Sequence, residues 1–195
     1  LVARGRYDAP SRTYTLGLEQ SCPPSAGQPD KQPFVIPVAL GLVGRDGRAL
    51  PVQLEGEAPT GATERVLVLQ EPRAFYTFVN VEVEPVPSVL RGFSAPVLLR
   101  DHLADADLLT LLNHDSDPYR RWEANQQLAL NRLLAAVHGR DELVLDAPFV
   151  DAMRVVLRHP TLDAAYKELL LTLPDEAYVA EQLDKALGRN VTVRS

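Results

Sequence analysis

The stretch Phe34-Val-Ile-Pro-Val-Ala-Leu-Gly-Leu-Val-Gly-Arg-Asp-Gly-Arg-Ala-Leu-Pro-Val-Gln-Leu54 decides the fold of this chain. Its two apolar runs, 34–43 and 50–54, are separated by a polar segment that contains Asp46 and Gly47. Asp-Gly readily adopts the positive φ angles of a tight hairpin turn. The stretch therefore predicts a β-hairpin of residues 34–43 and 48–54. Pro37 should lie at a sheet edge or a bulge, because it has no amide proton to donate.

Further short runs with alternating apolar residues lie on both sides of the hairpin, separated by Pro and Gly. They are residues 1–8, 12–19, 65–69, 75–79 and 95–99. Together with the hairpin they predict about seven strands in about 100 residues, which is typical of an immunoglobulin-like sandwich. The disulfide that often joins the sheets of such domains cannot form, because Cys22 is the only cysteine.

The second half of the chain has a different pattern. Residues 1–97 contain 12 of the 16 prolines and 9 of the 11 glycines, and from Asp101 the apolar residues recur at helical spacing. We expect a multidomain β + α protein. An antiparallel Ig-like β-sandwich over residues 1–99 is followed over 100–195 by about five helices of an all-α, solenoid-like segment.

Acidic residues and prolines mark the start of each predicted helix. The best marked is the second helix, where Asp117 can cap the first amide groups, Pro118 suits the first turn, and Ser116 precedes them. Three later starts are marked in the same way, by Asp146 or Ala147 before Pro148, by Asp163, and by Pro174 with Asp175. The expected stops are Gly139 for the second helix and Gly188 for the last.

Composition excludes several classes of function. The chain has 195 residues, a net charge of −6 and a pI of about 5.2, which argues against binding to nucleic acid or to an anionic membrane. No run approaches the roughly 18 apolar residues of a membrane span. A lone thiol fits a reducing compartment, so we expect a cytoplasmic location. The chain begins with Leu1, and we expect it to be a fragment of a longer protein.

Candidate chemical motifs are weak. The histidines, which are His102, His114, His138 and His159, form no His-Glu-x-x-His zinc pair. The segment 114–117 alternates oxygen donors but lacks the acidic twelfth residue of a calcium loop, so a helix-capping turn is favoured. The segment 92–96 begins like a nucleophile elbow without its second glycine. We assign no catalytic and no metal-ligating residue.

Four longer strings carry a resemblance. They are Pro37-Val-Ala-Leu-Gly-Leu-Val-Gly-Arg-Asp-Gly47, Leu54-Glu-Gly-Glu57, Pro87-Ser-Val-Leu-Arg-Gly-Phe-Ser-Ala-Pro-Val97 and Asn113-His-Asp-Ser-Asp-Pro-Tyr-Arg-Arg-Trp-Glu-Ala124. In these strings the chain resembles the bacterial aminopeptidase N family of M1 zinc metallopeptidases, over residues 1 to about 135. The resemblance implies the Ig-like third domain of such an enzyme, followed by the first helices of its C-terminal α-helical domain.

The resemblance also implies a function for the parent enzyme and a lesser one for this chain. The zinc motif, the glutamate base and the substrate-reading segment of the family lie upstream, and none of these strings occurs here. We therefore expect a non-catalytic spacer that forms part of the wall or cap of the catalytic chamber and is inactive alone. Its partners would be the catalytic and remaining helical domains of the same chain; zinc and peptides would bind only in the parent. The alternative is a stand-alone protein-binding module.

The string between Pro87 and Pro96 suggests a further role. It places a cation, Arg91, and a large apolar group, Phe93, on a stiff connection. We expect these two residues to dock against neighbouring domains of the parent enzyme. The alternative is that the segment is only a turn within the sandwich.

Overall fold

The computed structural model describes residues 1–139 and 146–186 of the chain. In this part of the chain, seven strands are followed by a 3₁₀ turn and five helices. The strands are β1 (Val2–Asp8), β2 (Thr13–Glu19), β3 (Ile36–Gly44), β4 (Ala49–Leu50), β5 (Glu64–Leu69), β6 (Arg73–Phe78) and β7 (Pro85–Val89). The helices are α1 (Asp105–His114), α2 (Pro118–Gly139), α3 (Ala147–Arg158), α4 (Ala164–Leu171) and α5 (Glu176–Ala186). The predicted fold class, antiparallel sheets followed by helices, is confirmed.

Two antiparallel sheets form the sandwich. One has the order β1-β2-β6, and in the other β4, β5 and β7 all pair with β3. Alternate residues point inward, as the period of two along a strand requires. The buried core contains Leu16, Leu18, Val38, Leu40, Leu42, Leu67, Leu69 and Phe78. The burial of these side chains is the main force that holds the two sheets together.

The predicted hairpin is confirmed. Leu42 pairs with Leu50 and Val43 with Ala49, and Gly47 has a φ of 85° in the turn between them. β4 is shorter than expected because Pro51 follows it and cannot donate to a ladder.

The seventh strand was expected at residues 95–99, and this prediction is wrong. The strand is β7, which contains Pro85 and Pro87 and pairs antiparallel with β3. Because the two prolines occupy alternate positions, both missing amide protons lie on one side of the strand, which suits a sheet edge. Residues 95–99 instead lead to Arg100, whose amide N–H bonds to the Leu1 carbonyl oxygen at 2.9 Å.

The four helices α2 to α5 begin where capping aspartates predict, whereas the N-cap of α1 is Ala104, which makes no side-chain capping hydrogen bond. Aspartate side chains accept a hydrogen bond from the amide N–H three residues on, at 2.9 Å for Asp146, 2.8 Å for Asp163 and 2.7 Å for Asp175. α2 ends at Gly139 as expected, whereas the predicted stop at Gly188 lies outside the described residues. Within residues 1–139 and 146–186, no helix is long and apolar enough to span a membrane.

The chain divides into two compact units, Leu1–Arg121 and Trp122–Ser195. The first contains the sandwich and α1. In the second, the Asn125 side chain is fully buried and its Nδ2 donates to the Leu170 carbonyl oxygen at 2.5 Å. The Arg132 guanidinium lies 4.7 Å from the centre of the Phe149 ring. The predicted domain boundary between residues 99 and 100 stays a prediction.

Candidate functional site

The connection that follows β7 forms a turn with unusual backbone angles. It is a single 3₁₀ turn, Arg91–Phe93, in which φ is 59° at Gly92 and 53° at Phe93, and φ is 61° at Leu90 just before it. The left-handed region disfavours residues that carry a Cβ, by roughly 1–2 kcal/mol each. Leucine and phenylalanine hold such angles only where surrounding contacts enforce them, which directs attention to those contacts.

Arg91 lies at the centre of these contacts. Its side chain is only 8% exposed, and its Nη1 pairs with the Glu64 carboxylate. Nε donates to Ser88 Oγ at 3.0 Å, and Nη2 donates to Asp115 Oδ1 at 2.5 Å and Ser116 Oγ at 2.9 Å. We call these five residues the Arg91 cluster. The cluster joins the sandwich to the segment between α1 and α2, within the first compact unit.

Asp115 is the buried anion of the Arg91 cluster. Its side chain is fully buried, and Oδ1 also accepts the amide N–H of Asp117 at 2.9 Å. Oδ2 has no hydrogen-bond partner among the described residues. A buried carboxylate is costly unless a cation is paired with it. The charge of Asp115 is therefore balanced chiefly by Arg91.

Gly41 makes room for the arginine. A Cβ at this position of β3 would lie 2.8 Å from the Arg91 guanidinium carbon. Glycine inside a strand weakens it, and often marks a close approach of another group. Here the guanidinium lies over the outer face of the sheet beside Glu64, the cross-strand neighbour of Gly41.

The residues predicted to cap α2 lie beside this cluster. Asp117 Oδ1 accepts the amide N–H of Arg120 at 2.8 Å, and its Oδ2 accepts the amide N–H of Gly92 at 2.9 Å. The Asp117 carboxylate thus accepts hydrogen bonds from one amide group in the first turn of α2 and from one amide group in the 3₁₀ turn. Ser116 accepts from Arg91, and Pro118 is exposed at the first helical position.

The Phe93 side chain is about half exposed to solvent. Its side chain is 51% exposed, and its ring centre lies 5.3 Å from that of Tyr119. Arg91, by contrast, is directed inward. The docking of both residues on other domains stays a prediction from the sequence.

A second set of charges lies nearby, in the first unit. Arg120 pairs with Asp101 at 2.8 Å with both side chains almost fully buried, and Arg45 pairs with Asp107 at 2.8 Å. Burial, assisted by Asp107 and Asp101, raises the pKa of the Tyr14 phenol. Sequence reasoning missed these pairs, together with Glu64, Ser88 and Gly41. The available signals were the glycine inside a strand, Gly41, and the two consecutive arginines in the first turn of α2, Arg120 and Arg121.

The described part of the chain has no candidate metal centre. In residues 1–139 and 146–186, no group of three His, Cys, Asp or Glu side chains is placed to hold a metal ion. His114 packs against the hairpin turn at Gly47, while its neighbour Asp115 is committed to Arg91. The donor set therefore does not fit a zinc ion.

Two family models match the chain. Residues 1–102 match DUF3458, a domain of unknown function with an Ig-like fold, and residues 105–193 match DUF3458_C, a domain of unknown function described as ARM repeats. The first match covers more than half of the chain and the second almost all the rest. The two matched ranges correspond to the strands and to the helices.

Curated relatives give a consistent picture. Aminopeptidase N of Escherichia coli is 34% identical over 187 residues, which are 94% of this chain and 21% of the relative. Aminopeptidase N of Haemophilus influenzae is 32% identical over 93% of this chain and 21% of the relative. Aminopeptidase N of Caulobacter vibrioides is 36% identical over 76% of this chain and 16% of the relative. The chain thus spans about a fifth of the length of the first two relatives.

A solved structure agrees in fold. The crystal structure of Legionella pneumophila aminopeptidase A in complex with aspartic acid matches with a TM-score of 0.73 and 22% identity. The match covers 96% of this chain and 22% of that chain.

Proposed function

Because the chain belongs to the DUF3458 family and is homologous to one part of bacterial aminopeptidase N, we propose that it is a non-catalytic segment of a longer zinc aminopeptidase. In this proposal the parent enzyme removes N-terminal amino acids from peptides. The segment acts as a spacer and as part of the wall or cap of the catalytic chamber. It is inactive alone.

The main support for the proposal is that the match covers nearly all of this chain but only a small part of the relative. The chain is matched over 94% of its own length but over only 21% of the Escherichia coli relative. A part of that size can lack the catalytic apparatus of the whole. The donor set of the described residues, which does not fit zinc, supports the same assignment.

The Arg91 cluster supports a spacer role. A spacer must hold its own elements in a defined arrangement, and within the first unit a buried ion pair restricts the geometry of the segments that it joins. The pair of Arg91 with Asp115 joins the sandwich to the start of α2 across 24 residues of sequence. The two carboxylate oxygens of Asp117 make a second link between these segments, because they accept hydrogen bonds from the amide groups of Gly92 and Arg120.

The experiment compares the product of the complete gene with the 195-residue chain. Both are purified with added zinc, and each is tested for hydrolysis of aminoacyl p-nitroanilides and for bound zinc by atomic spectroscopy. We expect activity and one tightly bound zinc in the longer protein, and neither in the chain. Hydrolysis by the chain alone, with a turnover similar to that of the longer protein, would refute the proposal.

The size of the native polypeptide separates this proposal from the stand-alone binding module. A species several times larger than 21.5 kDa on a denaturing gel, detected with an antibody against the chain, is expected. A species of 21.5 kDa would favour the stand-alone module.

The exposed single thiol of Cys22 supports a reducing, cytoplasmic location, which cell fractionation with the same antibody tests.

A further inference from the structure

A cavity of about 180 Å³ lies within the first compact unit, and none of the residues of the Arg91 cluster lines it. It lies between β1 of one sheet and β7 of the other, and residues 101–103 and 107 complete its wall. Part of the wall is apolar, formed by Leu16, Pro85, Pro87 and Leu103. A cavity of this size has room for about six water molecules or for a small organic molecule.

The Tyr14 hydroxyl reaches into this cavity. Tyr14 is only 3% exposed, and it lies over Gly5 of the neighbouring strand, where a Cβ would overlap the hydroxyl oxygen. Glycine at position 5 therefore leaves room for the phenol. Within the described part of the chain, Tyr14 Oη forms no hydrogen bond. Buried polar groups nearly always have a hydrogen-bond partner, so we expect the partner of this hydroxyl to be a molecule in the cavity.

The surroundings of the phenol carry an excess of negative charge. Burial raises the pKa of the phenol, and so do the nearby carboxylates of Asp107, Asp101 and Glu84. Two guanidinium groups compensate them in part. Arg120 pairs with Asp101 at 2.8 Å, and Arg45 pairs with Asp107 at 2.8 Å. Three carboxylates and two guanidinium groups leave one negative charge, of which the N-terminus of α1 offsets about half at most.

A carboxylate oxygen provides a second acceptor. Asp107 Oδ1 is buried and accepts no hydrogen bond from the described residues, although Arg45 Nη2 lies 2.8 Å away, because the angle does not suit one. The Tyr14 phenol keeps its proton at neutral pH, since its pKa is raised, and its oxygen remains able to accept. The cavity thus combines two unused acceptors, a negative charge and an apolar wall.

We propose that the cavity binds a small primary alkylammonium ion, whose N–H groups donate to Tyr14 Oη and Asp107 Oδ1. Its carbon chain would lie against Pro85, Pro87 and Leu103. A monovalent cation supplies the missing positive charge, and a primary ammonium group has three N–H donors for the acceptors. A divalent metal ion fits less well, because no three His, Cys, Asp or Glu side chains among the described residues are placed to hold one. The inference does not depend on the proposed function.

The test is an NMR titration of the 195-residue chain with propylammonium chloride. His102 lines the cavity, so the titration is made at about pH 7.5, where histidine is mostly neutral. Amide shifts at residues 3–7 and 101–107 and the ring shifts of labelled tyrosines are followed. We expect saturable shifts at these positions with a Kd of about 1 mM, because so small a ligand makes few contacts. Tetramethylammonium, which has the same charge but no N–H group, and propionate should produce no such shifts.

Two variants and two matched controls assign the binding to the cavity. Tyr14→Phe removes only the hydroxyl, and Asp107→Asn removes only the charge. Each should weaken the binding of propylammonium by ~10-fold or more, because each removes one hydrogen bond to a charged group. Tyr76→Phe and Asp46→Asn remove a hydroxyl and a carboxylate that do not line the cavity, and the Kd should stay unchanged.

Three results would overturn the inference: no saturable shift at the cavity residues, equal shifts with tetramethylammonium, or an unchanged Kd in Tyr14→Phe. A crystal structure of the complete protein grown with propylammonium needs no substitution. We expect density for the ion within hydrogen-bond distance of Tyr14 Oη. Ordered water alone at that position would refute the inference even if the variants fail to fold.

Discussion

Replacement of Arg91 by methionine tests the energetic role of the Arg91 cluster. The substitution keeps an unbranched side chain but removes the charge that faces Asp115, whose side chain is fully buried. Breaking a buried ion pair by removing one partner costs about 3–5 kcal/mol. The Asp115 carboxylate cannot recover this loss by hydration without opening the structure, because its side chain is fully buried, and its second oxygen already has no hydrogen-bond partner among the described residues.

The other partner of the arginine contributes much less. The Glu64 side chain is 65% exposed, so solvent screens its pairing with Arg91. Exposed pairs contribute about 1 kcal/mol or less. Glu64→Gln is therefore the matched control, since it removes one anion of the same cluster from its exposed side.

The assay is urea unfolding of the 195-residue chain, followed by circular dichroism and by hydrogen exchange resolved over residues 1–121. Arg91→Met should lower the free energy of unfolding of this unit by about 3–5 kcal/mol. Combining it with Asp115→Asn should cost less than the sum of the two single changes, by about 1–3 kcal/mol. If Arg91→Met costs no more than Glu64→Gln, the burial argument is wrong.

Three further predictions concern neighbouring features. Asp117→Ala should cost about 1–2 kcal/mol in urea unfolding, since it removes the α2 cap and the acceptor for Gly92, and no measurable loss would contradict the capping geometry. Gly41→Ala should destabilise the folded chain by about 1–3 kcal/mol, because the added Cβ would overlap the Arg91 guanidinium. The cost should be smaller in the Arg91→Met background, and equal costs in both backgrounds would contradict this explanation. The hydrogen bond from the Phe149 amide N–H lowers the pKa of Asp146 in the folded protein. The cap therefore stabilises α3 fully at pH values above the ordinary aspartate pKa near 4, and this stability is lost as the pH falls through the lower pKa of the folded state. Asp146→Asn should flatten that part of an acid titration of stability, and an unchanged profile would argue against the cap.

Local signals predicted most of the elements. The helix starts at Asp146, Asp163 and Asp175 were readable because each cap reaches an amide only three residues away. The turn at Gly47 was readable because its φ angle is a property of one dipeptide. Interactions within a few residues depend little on the rest of the fold, and so the sequence pattern suffices for them.

The seventh strand shows where local signals fail. Residues 95–99 have the better strand composition, whereas β7 contains Pro85 and Pro87. A sheet edge tolerates these prolines, and whether a segment reaches an edge is decided by its pairing with β3 rather than by its own propensity.

The amino-acid sequence by itself determined six of the seven strands, the turn chemistry of the hairpin and the caps of α2 to α5, because these depend on near neighbours along the chain. Only the tertiary structure decided that Arg91 faces inward, that Asp115 is its buried partner 24 residues away, and that Val66 and Val68 remain exposed. The reason is physical: a charge or an apolar group has the same sequence signature whether a neighbour covers it or not. Its burial depends on which segments the folded chain brings together.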